Sequence, residues 1–306
     1  MYDTHYDLLT ILYVIKNKEY IDRVINNVNS NLIGLNANLY FMNPDEMKNE
    51  LGIIGDIDVY DMFKKSVDIY NSLDIKSKVI FSIEGCDYIK DIYELERLYH
   101  LGLRAILLVW NNENRYGSGI KTDKGLTSIG REFIQKVIDL NMGIDLSHAN
   151  ERTFYGIIDV LKNNKGSICY ASHSNIYDIC NNPRNLKYEQ LIALKEVGGY
   201  LGLVMHPPFI TDSLDYDVIK NEFLKHVKYA VEVMGIDRVC ISSDNLEFYD
   251  ELKVERVANP FKQYNIKDNL NRLLRQEFTK EEVDMLMYKN ALSIYERLIC
   301  SNEDKK

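Results

Sequence analysis

Several patterns that would fix a class of protein are missing from this chain of 306 residues. Acidic residues outnumber basic ones by 46 to 37, and the net charge of −9 argues against a nucleic-acid partner, which would need a basic face. No apolar run reaches the length of about 18 residues that a membrane span requires, so we expect none. The N-terminal stretch MYDTHYDLLTILY lacks the basic residues that begin a signal peptide.

Cysteine is also scarce, and its distribution bears on the compartment. The five cysteines are odd in number and include no C-x-x-C pair, which gives no sign of a disulfide framework. Cys169, Cys240 and Cys300 lie in apolar runs, as expected for reduced thiols in the core of a cytosolic protein. We therefore predict a cytoplasmic location.

What the chain does contain is a regular alternation of apolar runs and helical patterns. Between the runs lie stretches of helical period; Val59, Phe63 and Val67, for example, share one stripe. Strand–helix alternation repeated eight times is typical of a parallel sheet, and eight such units predict an α/β fold, a (β/α)8 barrel of the TIM type. An open doubly wound sheet is the alternative. The predicted strands are residues 2–8, 37–42, 78–84, 104–110, 143–148, 167–173, 200–205 and 238–244.

The chain shows no low-complexity linker, so we predict a single barrel domain over residues 1–300. A last helix is predicted to begin at the capping box of Thr279 and Glu282 and to run to about Ile299. Residues 301–306, SNEDKK, are predicted to form a disordered tail.

Six polar residues stand at or near the carboxyl ends of the predicted strands. In a barrel these ends meet at one face, where barrel enzymes build their active sites. Counting back in steps of two from Glu84, His173 and Asp244 reaches small residues such as Ser82 and Ala171, so we expect the polar ends to point inward. The six are His5 and Asp7 on strand 1, Glu84 on strand 3, His148 on strand 5, His173 on strand 6 and Asp244 on strand 8.

Each of these residues has an ordinary structural explanation when it is taken alone. The histidine and aspartate of an isolated H-x-D can simply hydrogen-bond each other, and Asp244 could cap the following helix. Three carboxylates and three imidazoles at one barrel mouth, however, would be costly unless something compensates their charge. Histidine with carboxylate is the chemistry of zinc sites, and a set of this size predicts two metal ions rather than one.

Seven short motifs follow one another along the chain, and together they are far more specific than H-x-D alone. In their order and spacing the chain resembles the membrane dipeptidase family, peptidase family M19, of the metal-dependent amidohydrolase group. The motifs are THYD (4–7), SIEG (82–85), GLTSIGRE (125–132), DLSH (145–148), SHSN (172–175), PRNL (183–186) and SSD (242–244).

The resemblance implies a dinuclear zinc centre and assigns its ligands. His5, Asp7 and Glu84 would hold one zinc ion, and Glu84, His148 and His173 the other, so that Glu84 bridges the two. This assignment turns the opening H-x-D from a hydrogen-bonded pair into a pair of metal ligands.

The resemblance also implies an activity, the hydrolysis of the peptide bond in short peptides by a zinc-dependent dipeptidase. Asp244 would relay a proton near the metal-bound water. Arg184 would bind the free C-terminal carboxylate of the substrate, a role that suits its planar fork of donors, although without the motif it would be read as a surface arginine. The expected partner is a small peptide, with no nucleic acid and no membrane, and family members are often homodimers.

The chain departs from the family pattern after predicted strand 4, where many members have a histidine that helps to bind the transition state. The run LLVWNNENRYGSG places Trp110 there instead. Trp110 and Asn112 are predicted to contact substrate, with Asn111 and Asn114 as alternatives to Asn112. A loop rich in turn-forming residues explains these asparagines equally well.

A second departure, Lys289-Asn290 where the family has Gly-Asn, is expected to affect packing only.

The departure at Trp110 keeps other functions open. One is a hydrolase of another amide or of a lactone, and a second is a non-catalytic binding protein on the same barrel. A purely structural role is the third, although the sequence contains no interaction module.

Overall fold

Eight strands, each paired with the strand that follows it in the chain, form one parallel sheet. A computed structural model describes residues 1–254 and 266–303. β1 and β8 lie side by side, and the Asp244 N–H donates to the His5 carbonyl oxygen at 3.3 Å. The sheet is therefore a nearly closed barrel, which confirms the predicted fold and excludes the open sheet. Its strands are β1 (Tyr2–Tyr6), β2 (Gly34–Tyr40), β3 (Lys78–Glu84), β4 (Leu103–Leu107), β5 (Gly143–Asp145), β6 (Ile168–Ala171), β7 (Tyr200–Val204) and β8 (Val239–Ser242).

Helices connect the strands and surround the barrel. Several begin at a side-chain cap: Asn150 Oδ1, for example, accepts from the Thr153 N–H at 2.8 Å, which satisfies an amide that has no partner within the helix. Within the described residues, none of the helices is both long and apolar enough to cross a bilayer. The α-helices are α1 (Leu8–Val14), α2 (Lys18–Asn31), α3 (Pro44–Leu51), α4 (Val59–Asn71), α5 (Ile92–His100), α6 (Ser128–Asp139), α7 (Glu151–Lys162), α8 (Tyr188–Glu196), α9 (Tyr216–Met234), α10 (Phe248–Glu251), α11 (Ile266–Leu274), α12 (Lys280–Asp284) and α13 (Asn290–Glu303).

The last helical segment is less regular than predicted. The capping box is present, because Thr279 Oγ1 accepts from the Glu282 N–H and Glu282 Oε2 accepts from the Thr279 N–H. A π-helical turn, Met285–Lys289, then separates α12 from α13. Directly after this turn, Asn290 Nδ2 donates to the carbonyl oxygens of Ile236 and Val239, which attaches α13 to the start of β8. Of the predicted tail, residues 304–306 lie outside the described residues.

Helix α13 crosses the amino end of the barrel and closes it. Its apolar residues pack against side chains that fill the lower barrel interior, and this buried contact separates the closed end from the open mouth. The cluster includes Tyr2, Ile80, Ala105, Ile168, Tyr170 and Cys240 from the strands, and Ala291, Ile294 and Leu298 from α13.

The prediction that alternate residues of β6 point inward is wrong for that strand. Tyr170 packs inside the barrel with Ile168, whereas Cys169 and Ala171 belong to the larger core that includes the surrounding helices. The alternation counted back from His173 fails because β6 ends at Ala171, and the period of two applies only within a strand.

Six strands, all except β3 and β7, end two or three residues earlier than predicted, and in β1, β5, β6 and β8 this leaves a candidate site residue beyond the strand. Asp7, His148, His173 and Asp244 therefore lie in the loops just beyond the sheet. His148 and Asp244 have positive φ angles of 64° and 47°, a conformation that costs about 1–3 kcal/mol for residues other than glycine. This backbone cannot belong to a strand, and it turns the two side chains back over the barrel mouth.

Gly202 on β7 marks a point where β1 and the residue that follows β6 leave no room for a side chain. A Cβ at this position would lie 2.0 Å from the Ser172 carbonyl oxygen and 2.5 Å from Thr4 Oγ1. Because the first of these atoms is backbone, the strands would have to move apart to admit even a methyl group.

We predict that Gly202→Ala lowers the free energy of unfolding by about 3 kcal/mol, the effect of overpacking a barrel interior. Gly166→Ala is the control: its φ is +90° but nothing lies within 4 Å of the added Cβ, so only backbone strain of about 1 kcal/mol is expected. Urea denaturation of both variants measures the difference. Equal losses would show that the space around Gly202 is not limiting.

Candidate metal centre

The structure brings the six predicted strand-end residues together at the mouth of the barrel, around the carboxylate of Glu84. Glu84 Oε2 lies 3.0 Å from His5 Nε2. The other oxygen, Oε1, lies 3.0 Å from His148 Nε2 and 3.6 Å from His173 Nε2. The two oxygens of one carboxylate thus face imidazoles from opposite parts of the barrel.

Asp7 and Asp244 complete the group on the His5 side. Asp7 Oδ1 lies 3.6 Å from His5 Nε2, and Asp244 Oδ1 lies 3.9 Å from the same nitrogen. Two sets of donor atoms fall within 4.8 Å of one another, one from His5, Glu84 and His173 and one from His5, Asp7 and Asp244. Both sets consist of nitrogen and carboxylate oxygen, the donors that zinc prefers.

The hydrogen bonds behind the rings decide which ring nitrogens carry protons. His148 Nδ1 lies 2.8 Å from Asn111 Oδ1, an acceptor, so this nitrogen donates and Nε2 presents a lone pair to the centre. The Ser172 hydroxyl donates to Asp145 Oδ2, and its oxygen lies 2.7 Å from His173 Nδ1. His173 therefore also donates through Nδ1 and presents the Nε2 lone pair.

This arrangement fits a cation between the side chains and is unfavourable without one. The Nε2 atoms of His148 and His173 lie 3.0 Å apart with lone pairs toward each other and toward Glu84. Asp7 Oδ1 is buried and has no hydrogen-bond partner within residues 1–254 and 266–303. Buried acceptors that face only other acceptors are costly unless a metal ion or a proton lies between them.

The pKa values of these histidines and aspartates also reflect the close packing of buried acceptors. Burial lowers the pKa of His148 to about 3 and that of His173 well below its usual value, so both rings are neutral, the form that binds metal. Burial also raises the pKa of Asp7 to about 6 and that of Asp244 to about 7. For His5, burial opposes protonation, but Glu84 and Asp7 together raise its pKa.

A cavity of about 530 Å³ opens directly above these residues. Arg184 lines it from the loop after β6; its guanidinium is buried, donates to the His173 carbonyl oxygen at 3.2 Å and lies over the Phe209 ring. Trp110 also lines it, with its ring stacked at 26° on His148. Two of the three predicted substrate-binding residues, Arg184 and Trp110, therefore reach the cavity.

Asn112, the third predicted substrate contact, does not line this cavity. Its amide donates to Glu46 Oε2 at 3.1 Å, and the neighbouring Asn111 reaches His148 instead. Two adjacent asparagines in a loop cannot be distinguished by sequence alone, because the turn decides which side chain faces the barrel.

Sequence reasoning assigned no role to the residues that orient the metal-facing side chains. Asp145 and Ser172 hold His173 and lie within the motifs DLSH and SHSN, so the motifs themselves were a signal. Asp3 accepts from the His5 N–H at 3.2 Å and from the Ser243 N–H at 2.9 Å, and no motif pointed to it. His206 also lines the cavity and was missed, since a single histidine after a strand carries little information.

Fold and site together define a hydrolase-type barrel with a candidate metal centre at the carboxyl ends of its strands. A sequence model described as membrane dipeptidase (peptidase family M19) matches residues 61–304, and the chain belongs to this family. This confirms the resemblance found in the motifs. His5 and Asp7 precede the matched residues, so their place in the centre rests on the geometry described above.

The similarity to individual relatives is lower and covers about half of the chain. An uncharacterized protein in the pqqA 5′ region of Klebsiella pneumoniae is 34% identical over 161 residues, 49% of this chain and 58% of that protein. The chain spans about half the length of the curated relatives that it matches.

Two solved structures share the fold over nearly the whole chain. Dipeptidase AC, a metallopeptidase of family M19, superposes with a TM-score of 0.75 at 19% identity and 97% coverage of both chains. A metallopeptidase from Rhodobacter sphaeroides, solved with a phosphinate mimic of the dipeptide L-Ala-D-Ala, superposes with a TM-score of 0.73 at 18% identity, covering 97% of this chain and 98% of that one.

We predict that Ser172→Ala weakens zinc binding by about 10- to 100-fold, because His173 loses the acceptor that fixes its tautomer and ring orientation. Competition with a chromophoric chelator measures the affinity. Ser118→Ala is the matched control, since Ser118 is equally buried but its hydroxyl has no hydrogen-bond partner among the described residues. An unchanged affinity in Ser172→Ala would contradict the orienting role.

Proposed function

We propose that this protein is a dinuclear zinc dipeptidase that hydrolyses short peptides with a free C-terminal carboxylate. One observation carries the proposal: the carboxylate of Glu84 lies between two neutral imidazoles on one side and His5 with two aspartates on the other. Membership of the membrane dipeptidase family supports the choice of a peptide bond as the target.

The ligands of the proposed centre divide into two sets that share Glu84. His5, Asp7 and Glu84 would hold one zinc ion, and Glu84, His148 and His173 the second. When bound, such a pair of ions lowers the pKa of a water molecule toward neutrality and polarises the scissile carbonyl group. The shared carboxylate suits a bridging role because each of its oxygens already faces one of the two sets.

Arg184 is the proposed anchor for the C-terminal carboxylate of the substrate. Its guanidinium is charged and buried at the wall of the cavity, and its Nε has no hydrogen-bond partner in the part of the chain that the structure describes. A planar fork of donors binds a carboxylate with defined orientation, which would hold the adjacent peptide bond over the metal centre. Longer chains, which continue past that bond, would lack the carboxylate in the required place.

Asp244 is the proposed proton carrier. It lines the cavity beside His5, and its positive φ angle turns it toward the mouth of the barrel. Burial raises its pKa to about 7, so the carboxylate can accept a proton from the attacking water and release it to the leaving amine near neutral pH.

Trp110 is proposed to form the wall of the substrate site where many family members have a histidine. Its ring covers His148, and the Lys121 ammonium lies 5.6 Å from the centre of the same ring. An indole has no proton to exchange at neutral pH, so stabilisation of the transition state would fall to other side chains of the cavity.

The cytoplasmic location and a homodimeric state remain predictions. In support of the first, Cys86, Cys169, Cys180 and Cys240 are buried and form no disulfide, as expected in a reducing compartment. The side chain of Cys300 lies outside the described part of the chain.

We predict that the purified protein binds about two equivalents of zinc, that a chelator abolishes hydrolysis of dipeptides, and that added zinc restores it. Elemental analysis and an assay of released amino acids measure both effects.

A panel of substrates tests the type of bond that is cleaved. It should contain dipeptides with L- and D-residues at the second position, together with lactones and acylated amino acids. Exclusive hydrolysis of a lactone or an acylated amino acid would favour the alternative amidohydrolase function, and binding without turnover would favour a non-catalytic protein.

We predict that Asp244→Asn lowers kcat for dipeptides by about 10²- to 10⁴-fold while zinc content is retained, because an amide cannot carry the proton. Asp123→Asn, which changes an exposed aspartate outside the cavity, is the control. A loss of zinc together with activity would instead identify Asp244 as a ligand, and an unaltered kcat would remove it from the mechanism.

A further inference from the structure

A second cavity, of about 240 Å³, lies next to the first and shares a wall with it. Arg184 and His148 line both cavities. The second cavity is formed mainly by the loops that follow β5 and β6, and Ser174 lines it without reaching the first. The buried guanidinium of Arg184 thus stands between two separate spaces.

Two residues that line this cavity have a buried side-chain atom with no hydrogen-bond partner among the described residues, namely the Ser174 hydroxyl and Arg184 Nε. Ser174 is completely buried and Arg184 is only 5% exposed. Arginine Nε can only donate, and a serine hydroxyl can donate as well as accept. Since an unsatisfied buried donor costs free energy, the pair is suited to a ligand that supplies acceptor oxygens.

The charge of the cavity also favours a ligand that supplies acceptor oxygens. Lys187 and Glu151 line it as an exposed ion pair at 2.6 Å and offset each other, so Arg184 gives the lining a net positive charge. The lining also includes apolar side chains such as Leu146 and Leu186 and uncharged polar ones such as Gln190. A group with a short aliphatic stem and a carboxylate at its end matches this lining.

We propose that the second cavity binds the side chain of an acidic residue, glutamate or aspartate, at the C-terminal position of the substrate. The inference rests on the proposed dipeptidase function, in which Arg184 binds the α-carboxylate of that same residue. Because Arg184 lines both spaces, a residue held at its guanidinium has the second cavity beside it, and the Ser174 hydroxyl would donate to the side-chain carboxylate.

The test compares kcat/KM of the zinc-loaded wild-type enzyme for Ala-Glu, Ala-Gln, Ala-Leu and Ala-Ala. We expect Ala-Glu to be preferred over Ala-Leu by about tenfold or more, since a site built from donors rejects side chains that lack acceptors. Ser174→Ala should reduce this ratio by about tenfold. Ser66→Ala is the matched control: Ser66 is also fully buried, and its hydroxyl has no partner among the residues that the structure describes. It lies on α4 and lines neither cavity, so the ratio should not change.

The outcomes separate this inference from the proposed function. Hydrolysis of the panel with no preference for Ala-Glu would overturn the inference and leave the dipeptidase function standing, and this comparison needs no substitution. A uniform loss over all four dipeptides in Ser174→Ala, or no loss in any, would also overturn it. Failure of the zinc-loaded enzyme to hydrolyse any of them would overturn the proposed function and the inference with it.

Discussion

The site depends on one electrostatic constraint, the confinement of imidazole lone pairs and carboxylate oxygens on buried side chains at the barrel mouth. His148 and His173 present unprotonated nitrogens to each other and to Glu84, and Asp7 adds an oxygen without a donor among the described residues. His5, whose pKa Glu84 and Asp7 raise, offsets part of this repulsion, but its proton faces Glu84 rather than the His148–His173 pair. Positive charge between them turns each repulsion into an attraction, which is why the arrangement is read as a metal centre.

The constraint is maintained by the same contacts that close the barrel. β1 meets β8 where Asp3 accepts from the Ser243 and His5 backbone amides, and the Asp244 N–H donates to the His5 carbonyl oxygen. These bonds place His5 and Asp244 beside each other although they are far apart in the sequence. Loosening the seam would therefore disturb the fold and the centre together.

Substrate recognition, as proposed, is organised around a single buried guanidinium. Arg184 is held by the His173 carbonyl oxygen and by the Phe209 ring, and it separates the cavity above the metal centre from a second, donor-rich one. Arg184 would thus define both where the C-terminal residue of the substrate is anchored and which cavity receives the side chain of that residue. Trp110, which also lines the first cavity, supplies a broad apolar surface in place of an ionisable group.

The sequence by itself determined the barrel and grouped the candidate metal ligands at its mouth. Eight strand–helix repeats imply a closed parallel sheet, and residues near the carboxyl ends of its strands must converge, so His5, Glu84 and Asp244 could be grouped without coordinates. Only the tertiary structure decided which loop side chains face inward. Asn111 rather than Asn112 reaches His148, and the second cavity beside Arg184 exists through the packing of two loops. Strand periodicity ends with the strand, and beyond it the direction of a side chain is set by backbone angles and long-range contacts that no local pattern encodes.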